Sequence, residues 1–266
     1  MGRVNSLPIS MNPPRKNFLN WTADEDWKLD APVYRFMSFR RLEKLCASKK
    51  NCVVRPKIPI WDDPFENFFF SAPALDANGR PIRLGFSEDF YCQCWTDADE
   101  LDAMWRIYCR DKNGVRVQCT PRKLLTGLYS SILTGHDKPD ERYSSICCFI
   151  GKVSYHAEEQ LRDLLKDETV VRSVVWNGDG AAQCGTLLLK RTPFSPESEV
   201  RLLYQLPKTD KTAGDWFLYP LDPLSIFDEV VLDPRLKEFQ AKLNTTRLRG
   251  LGFDCSIRQS TLYQLP

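Results

Sequence analysis

Lys190-Arg191-Thr192-Pro193-Phe194-Ser195-Pro196-Glu197-Ser198-Glu199-Val200-Arg201-Leu202-Leu203-Tyr204 opens as a loop bracketed by two prolines and runs on as a strand. Side chains alternate across a strand, so a strand from Glu197 puts Glu197, Glu199, Arg201 and Leu203 on one face and Val200 and Leu202 on the other. Two carboxylates followed by an arginine are a heavy load for one side of a strand. On an open face they are hydrated surface. Lining a cleft, Glu197 and Glu199 are placed for acid/base work or for stabilising a developing charge.

Outward from this stretch, Cys184 to Lys190 reads as a strand forming a hairpin with it. Glu229 to Leu232 reads as another, and Asp233-Pro234 as the start of a helix through Leu236, Phe239 and Leu243. Toward the N-terminus, Val33–Met37 is a strand, and Ser38 caps a helix with Leu42, Leu45 and Cys46 on one face. Cys52–Val54 and Tyr91–Trp95 are further strands, and Asp97-x-x-Glu100 reads as a cap for a helix through Met104, Trp105 and Tyr108. Asn113-Gly114 turns the chain into the alternating strand Val115–Cys119. Thr120-Pro121 then opens a helix with Leu124, Leu125, Leu128 and Ile132 at helical spacing. A strand near Cys147 to Val153, a helix through Leu161 and Leu165, and a last strand from Phe253 to Ile257 complete the reading. Strands and helices mix without strict alternation. This predicts one α+β domain over residues 31–266, with a mixed, mainly antiparallel, split sheet flanked by helices. Residues 1–30, with three prolines and Trp21 and Trp27, read as an arm packed on it.

The chain carries 37 basic and 35 acidic residues, so its net charge of +2 gives no global pull toward nucleic acid or membrane. No apolar run is long enough to span a bilayer, and the N-terminus has no secretory apolar core, which points to a cytoplasmic setting with reduced thiols. The ten cysteines lack the paired spacing of a zinc site, and the two histidines, His136 and His156, stand apart, so no metal is expected.

Glycine-rich phosphate loops and the G-x-S-x-G elbow are missing from the sequence. Arg35 is more informative, because it interrupts the apolar run Val33–Met37. A buried arginine is costly unless paired, and Asp63, Glu66, Glu197 or Glu199 are its candidate partners. It is read equally as one end of a structural ion pair or as a grip on an anionic ligand. Trp95, Trp105 and Tyr108 serve either as core or as a stacking wall.

Taken in order, Tyr34-Arg35-Phe36, Asp63-Pro64-Phe65-Glu66, Cys94-Trp95-Thr96, Met104-Trp105-x-x-Tyr108, Gly114-Val115, Lys190-Arg191, Glu197-x-Glu199-Val200-Arg201, Val231-Leu232-Asp233-Pro234-Arg235 and Ser260-x-Leu262-Tyr263 resemble the bacterial domain-of-unknown-function family 2971. More remotely, the layout is similar to the toxin-like ADP-ribosyltransferases. That resemblance implies an ADP-ribosyltransferase-like fold, NAD as a substrate, and a protein or nucleic-acid acceptor in a bacterial toxin or phage-defence effector, with an antitoxin or other partner protein. It makes Glu199 the catalytic carboxylate and Glu197 the group that activates the acceptor. Arg35 would hold the NAD phosphate or ribose, Tyr34, Trp95 or Tyr108 would face the nicotinamide, and Thr96 would supply the mid-chain hydroxyl. Asp63, Glu66, Lys190 and Arg201 are the remaining site candidates. Two other readings stand beside it. One is a non-catalytic binding or sensor module in which Arg35, Asp63, Glu66 and Arg201 form a structural charge network. The other is a metal-dependent nuclease using Asp63, Glu66 and Glu199.

Overall fold

The computed structural model describes residues 18–19, 28–54, 63, 65, 68–71, 74–75, 81–82, 90–134, 148–176, 180–206 and 214–265. Its strands are β1 (Phe18–Leu19), β2 (Val33–Ser38), β3 (Lys50–Val54), β4 (Ala74–Leu75), β5 (Pro81–Ile82), β6 (Phe90–Thr96), β7 (Gly114–Cys119), β8 (Cys148–Lys152), β9 (Ser154–His156), β10 (Leu189–Arg191), β11 (Glu199–Gln205), β12 (Trp216–Pro220), β13 (Glu229–Leu232) and β14 (Ser256–Gln259). Ten of them form one sheet, ordered β1-β8-β11-β6-β2-β7-β13-β14, with β3 and β12 branching from β6. Two pairs in this sheet, β1 with β8 and β13 with β14, are parallel, and the rest are antiparallel. The mixed, mainly antiparallel α+β domain expected from the sequence is present, and its sheet is split.

The split has a definite place. β2 meets β6 at Tyr34 opposite Thr96, whereas β3 meets it at Val54 opposite Cys92. Between those two points the sheet forks. Packing accounts for the two arms. Val33, Met37, Trp95, Val117, Val200, Leu202 and Tyr204 belong to the core on one face, which is covered by the helices α1 (Phe39–Ser48) and α4 (Pro121–Thr134). Cys92, Phe149, Leu203 and Leu189 belong to a second core on the other face, under the short helices 158–164, 168–176 and 181–186. A third cluster joins Tyr34, Phe36, Met104, Trp105 and Val231 at the opposite end of that face. Trp105 is fully buried there, edge-on to Phe36 at 4.9 Å, with its indole N–H donated to Glu100 Oε1 at 2.7 Å.

Local signals explain most elements. Ser38 Oγ accepts the Arg41 amide at 3.3 Å, the expected cap of α1. Pro121 takes the first position of α4. β11 lies between β8 and β6 in the interior of the sheet, so it is buried on both faces.

Several expectations are corrected. Residues 181–186 form a helix, and only Leu189–Arg191 is extended, pairing in parallel with β9 and forming no hairpin with β11. Thr192–Glu197 is a 3-10 helix with Pro193 at its start, so Glu197 stands on a turn and β11 begins at Glu199. The helix after Tyr91–Thr96 starts at Asp102 without a side-chain cap, because Glu100 is engaged by Trp105 and not by the chain end. The last helix spans Glu238–Gly250 and does not start at Asp233. Asp233 instead turns inward, accepting from Arg235 Nη2 at 2.6 Å and from the Gly114 amide at 3.3 Å. That helix buries Ala241, Asn244 and Leu248, leaving Phe239 77% exposed. His136, Cys147, Trp21, Trp27 and Glu66 lie outside the described residues.

The proposed arm touches the domain at two described places. Phe18–Leu19 pairs with Ile150–Gly151 at the sheet edge, and Asp30 bonds both Nε and Nη2 of Arg122 at 2.7 and 3.0 Å.

Candidate active site

A cavity of about 590 Å³ opens where the sheet forks. β6 supplies its floor. β2 supplies Tyr34 and Arg35, the segment from Lys190 to Glu199 supplies the acidic side, and Tyr108 and Trp216 stand at its aromatic walls. Strand register places Glu199 beside Thr96 and Thr96 beside Tyr34, so Glu199 and Tyr34 are two strand spacings apart, about 10 Å. Residues paired across neighbouring strands point to the same side. Tyr34, Thr96, Glu199 and Arg201 therefore share one face, and Arg35 leaves β2 on the other. Arg35 borders the cavity because the fork opens the sheet there, with its guanidinium 5.9 Å from the Trp95 ring centre.

Glu199 is 5% exposed, and its Oε2 accepts from Arg201 Nη2 at 2.7 Å, from Arg201 Nε at 3.2 Å and from Lys190 Nζ at 3.4 Å. Burial opposes ionisation, but the charges of Arg201 and Lys190 outweigh it and hold the Glu199 carboxyl below its ordinary value. Lys190 also donates to Glu197 Oε2 at 2.8 Å, so one ammonium ties the two carboxylates together. Thr96 fixes the turn that carries them, donating from Oγ1 to the Glu197 carbonyl at 2.6 Å and accepting from the Ala98 amide at 3.1 Å. The Glu199 amide donates to Tyr155 Oη at 2.8 Å, and burial pushes that phenol up to about 12.

Among the residues singled out in the sequence, Tyr34, Arg35, Asp63, Trp95, Thr96, Tyr108, Lys190, Glu197 and Glu199 all border this cavity. Arg201 does not. It is fully buried beneath Glu199, with Nη1 donating to the Leu187 carbonyl at 2.6 Å, and it acts on the site through its contact with Glu199. Asp63 is engaged by Arg191, whose Nη2 and Nε donate to it at 2.7 and 3.2 Å. The Tyr34 ring lies 4.5 Å beneath the Arg116 guanidinium, and burial raises its phenol pKa. Trp95 is a core residue whose indole N–H is donated to Gln93 Oε1 at 2.8 Å. Tyr108 is 49% exposed, and desolvation followed by the neighbouring Cys94, Glu197 and Glu199 raises its phenol, so it stays a proton donor.

Sequence reasoning missed Trp216, which is 60% exposed at the cavity wall, and Arg191, which braces Asp63. The short aromatic-rich run Trp216–Tyr219, closed by Pro220, was the available signal for the first. No local signal foretells the second. Among the described residues no three His, Cys, Asp or Glu side chains cluster in a way that could hold a metal ion, and no helix is long and apolar enough to cross a membrane.

The chain is similar to a solved structure of Thermus sp. 2.9 DarT in complex with NAD+, with TM-score 0.37 and 8% identity over 88% of this chain and 96% of that one. The same protein with carba-NAD+ gives TM-score 0.35 and 10% identity over 88% and 96%. With ADP-ribosylated ssDNA it gives 0.37 and 9% over 87% and 94%. At these scores the overlays carry no weight for the site or its activity. No family model and no curated protein matches the chain, so the resemblance to the domain-of-unknown-function family 2971 gains no support from either.

Proposed function

We propose that the forked-sheet cleft binds NAD as a substrate and transfers its ADP-ribosyl group to an acceptor. The observation that carries this reading is one ionised, buried carboxylate, Glu199, set on a rigid central strand at the wall of a cavity that also presents a guanidinium and exposed aromatic surface. Cleavage of the bond between nicotinamide and C1′ of the ribose sends the bonding pair out with neutral nicotinamide. Positive charge is left on the ribose, as in glycoside cleavage. A fixed carboxylate facing that charge stabilises the transition state more than the ground state. The acceptor's lone pair then forms the new bond to C1′, and its proton leaves to Glu197, which is more open to solvent than Glu199 and shares Lys190 with it. Arg35 is suited to the pyrophosphate, and Tyr108 with Trp216 to the flat face of a ring. The acceptor belongs to the protein or nucleic-acid class, and a toxin or defence setting in a bacterial cytoplasm, with an antitoxin as partner, fits such chemistry.

A second reading, a binding module held by a charge network, is favoured by the ion pairs Glu199–Arg201, Glu199–Lys190 and Asp63–Arg191. NAD is titrated calorimetrically into the wild type and into Arg35→Ala, with nicotinamide release followed in parallel. Binding and slow release by the wild type, with binding lost in a folded Arg35→Ala, is the expected result. Absence of NAD binding by the wild type at millimolar concentration leaves the module reading in its place.

A further inference from the structure

Behind the fork, on the face where Arg35 and Met37 leave β2, lies a second cavity of about 520 Å³. Three elements converge on it with positive charge: Arg35 from β2, Arg41 and Lys44 from α1, and Lys50 from the start of β3. Met37 and Leu45 give it an apolar floor, and among the described residues no carboxylate lines it. The surrounding acidic groups are used elsewhere. Glu43 pairs with Arg247, and Asp222 lies 4.0 Å from Lys49. Arg41, Lys44 and Lys50 take part in none of the ion pairs formed among the described residues. Arg41 and Lys44 stand three residues apart on one face of the helix, where like charges are destabilising. Stability of the fold therefore gives no reason for the arrangement, and the chain's net charge of +2 shows that it is not a by-product of a basic protein. Arg35 and Arg41 border both cavities, so the two adjoin at the fork.

We propose that this second cavity is a binding site for phosphate esters, and that the acceptor for the cleft is accordingly a phosphate-bearing molecule. The second half rests on the transfer reading given above, while the phosphate site itself does not. Two guanidinium forks suit the paired oxygens of a phosphate, two ammonium groups add point charge, and the volume holds a nucleotide-sized group and not merely one inorganic ion. The same chemistry is offered by a mononucleotide or by the backbone of a nucleic-acid strand, and the test separates them.

Binding of a fluorescein-labelled single-stranded oligonucleotide is followed by anisotropy, and binding of inorganic pyrophosphate by calorimetry. Both use the full chain as wild type, as Lys44→Ala/Lys50→Ala and as Lys44→Arg/Lys50→Arg. A control, Lys166→Ala/Lys242→Ala, makes the same charge change outside the cavity. The wild type binds, the alanine pair weakens binding at least about tenfold, the arginine pair restores it, and the control pair leaves it unchanged. Loss of oligonucleotide affinity, with a salt slope reduced by about 1.4 for two lost phosphate contacts, assigns the site to a strand. Loss confined to pyrophosphate assigns it to a mononucleotide. Failure of the folded wild type to bind either ligand at millimolar concentration overturns the proposal, as does equal weakening by the control pair. Lys44 and Lys50 border the second cavity and not the cleft, so a loss on their replacement is read apart from NAD binding in the cleft, and the phosphate site and the transfer reading fail independently.

Discussion

Glu199 is a buried member of an ion-pair cluster and the proposed catalytic carboxylate, and its substitution tests both roles. Removing one partner of a buried ion pair leaves the other uncompensated, which costs about 3–5 kcal/mol in full truncations. Glu199→Gln keeps the shape and one acceptor oxygen, so a smaller loss of about 1–3 kcal/mol is expected in chemical denaturation, as for a buried polar group left imperfectly paired. The same change is expected to lower nicotinamide release about 100- to 1,000-fold while sparing NAD affinity, the pattern of an interaction made in the transition state. A folded Glu199→Gln protein with unchanged turnover would remove Glu199 from the chemistry. Stability loss alone therefore does not separate a catalytic carboxylate from a structural one. The pH dependence follows from the same contacts. The folded-state pKa of Glu199 is depressed, so its stabilisation is complete above the ordinary value of 4.5 and is lost as pH falls below it through the folded value. The difference in melting temperature between wild type and Glu199→Gln should accordingly be constant near neutrality and shrink below pH 4.5. A difference that stays constant into strong acid would contradict the pairing. Alternation along Val200–Tyr204 made the faces of this strand legible in the sequence. The choice of Lys190 and Arg201 as partners, and of Arg191 for Asp63, was not, because long side chains select partners through tertiary contacts that no spacing encodes.

At the scale of elements, the segment from Leu189 to Gln205 shows where pattern succeeds and where turn chemistry intervenes. Two prolines at 193 and 196 foretold a break, and Pro193 starts the 3-10 turn that lifts Glu197 off the strand. Ser198 closes that turn in the left-handed region, at φ 42°. A β-branched residue resists that conformation. Ser198→Val is predicted to cost about 1–2 kcal/mol, the usual scale for left-handed backbone in a non-glycine residue, and to separate Glu197 from Lys190. Denaturation midpoints check the first effect. An unchanged midpoint would mean that the turn relaxes freely. Gly114 marks a different constraint. A Cβ there would meet Cys109 Sγ at 2.1 Å and Cys109 Cβ at 2.4 Å. Gly114→Ala is therefore expected to destabilise by about 1–3 kcal/mol through overpacking. A variant as stable as the wild type would show that Cys109 yields. The sequence marked Asn113-Gly114 as a turn, but not this close approach, which depends on how the chain folds back from Cys109 at the end of the preceding helix. Misreading residues 184–190 as a strand has a physical cause as well. A short apolar run carries no usable period, and here six residues form a buried helix before the chain extends.

At the scale of the whole molecule, the cleft exists because β2 and the β3–β12 pair diverge from β6, and its walls come from segments remote in sequence. Most strands of the large sheet were legible in part, and nine of the proposed site residues converge on one cavity. The fork itself was not, since it depends on where two strands stop pairing with a third. β12 went unread too, and with it Trp216. A ligand that touches both arms couples them, so NAD should stabilise the fold by mass action. Near 100 times its dissociation constant the gain is about 2.7 kcal/mol. For a chain of this length that raises the melting temperature by roughly 5–10 °C. Trp216 is 60% exposed, so Trp216→Ala should melt with the wild type in the absence of NAD, yet show a smaller upward shift when NAD is added at a fixed concentration. Arg35→Ala should show none. Equal shifts in the wild type and Trp216→Ala would place the nicotinamide and adenine rings away from this wall, leaving Tyr108 as the exposed aromatic surface of the cleft.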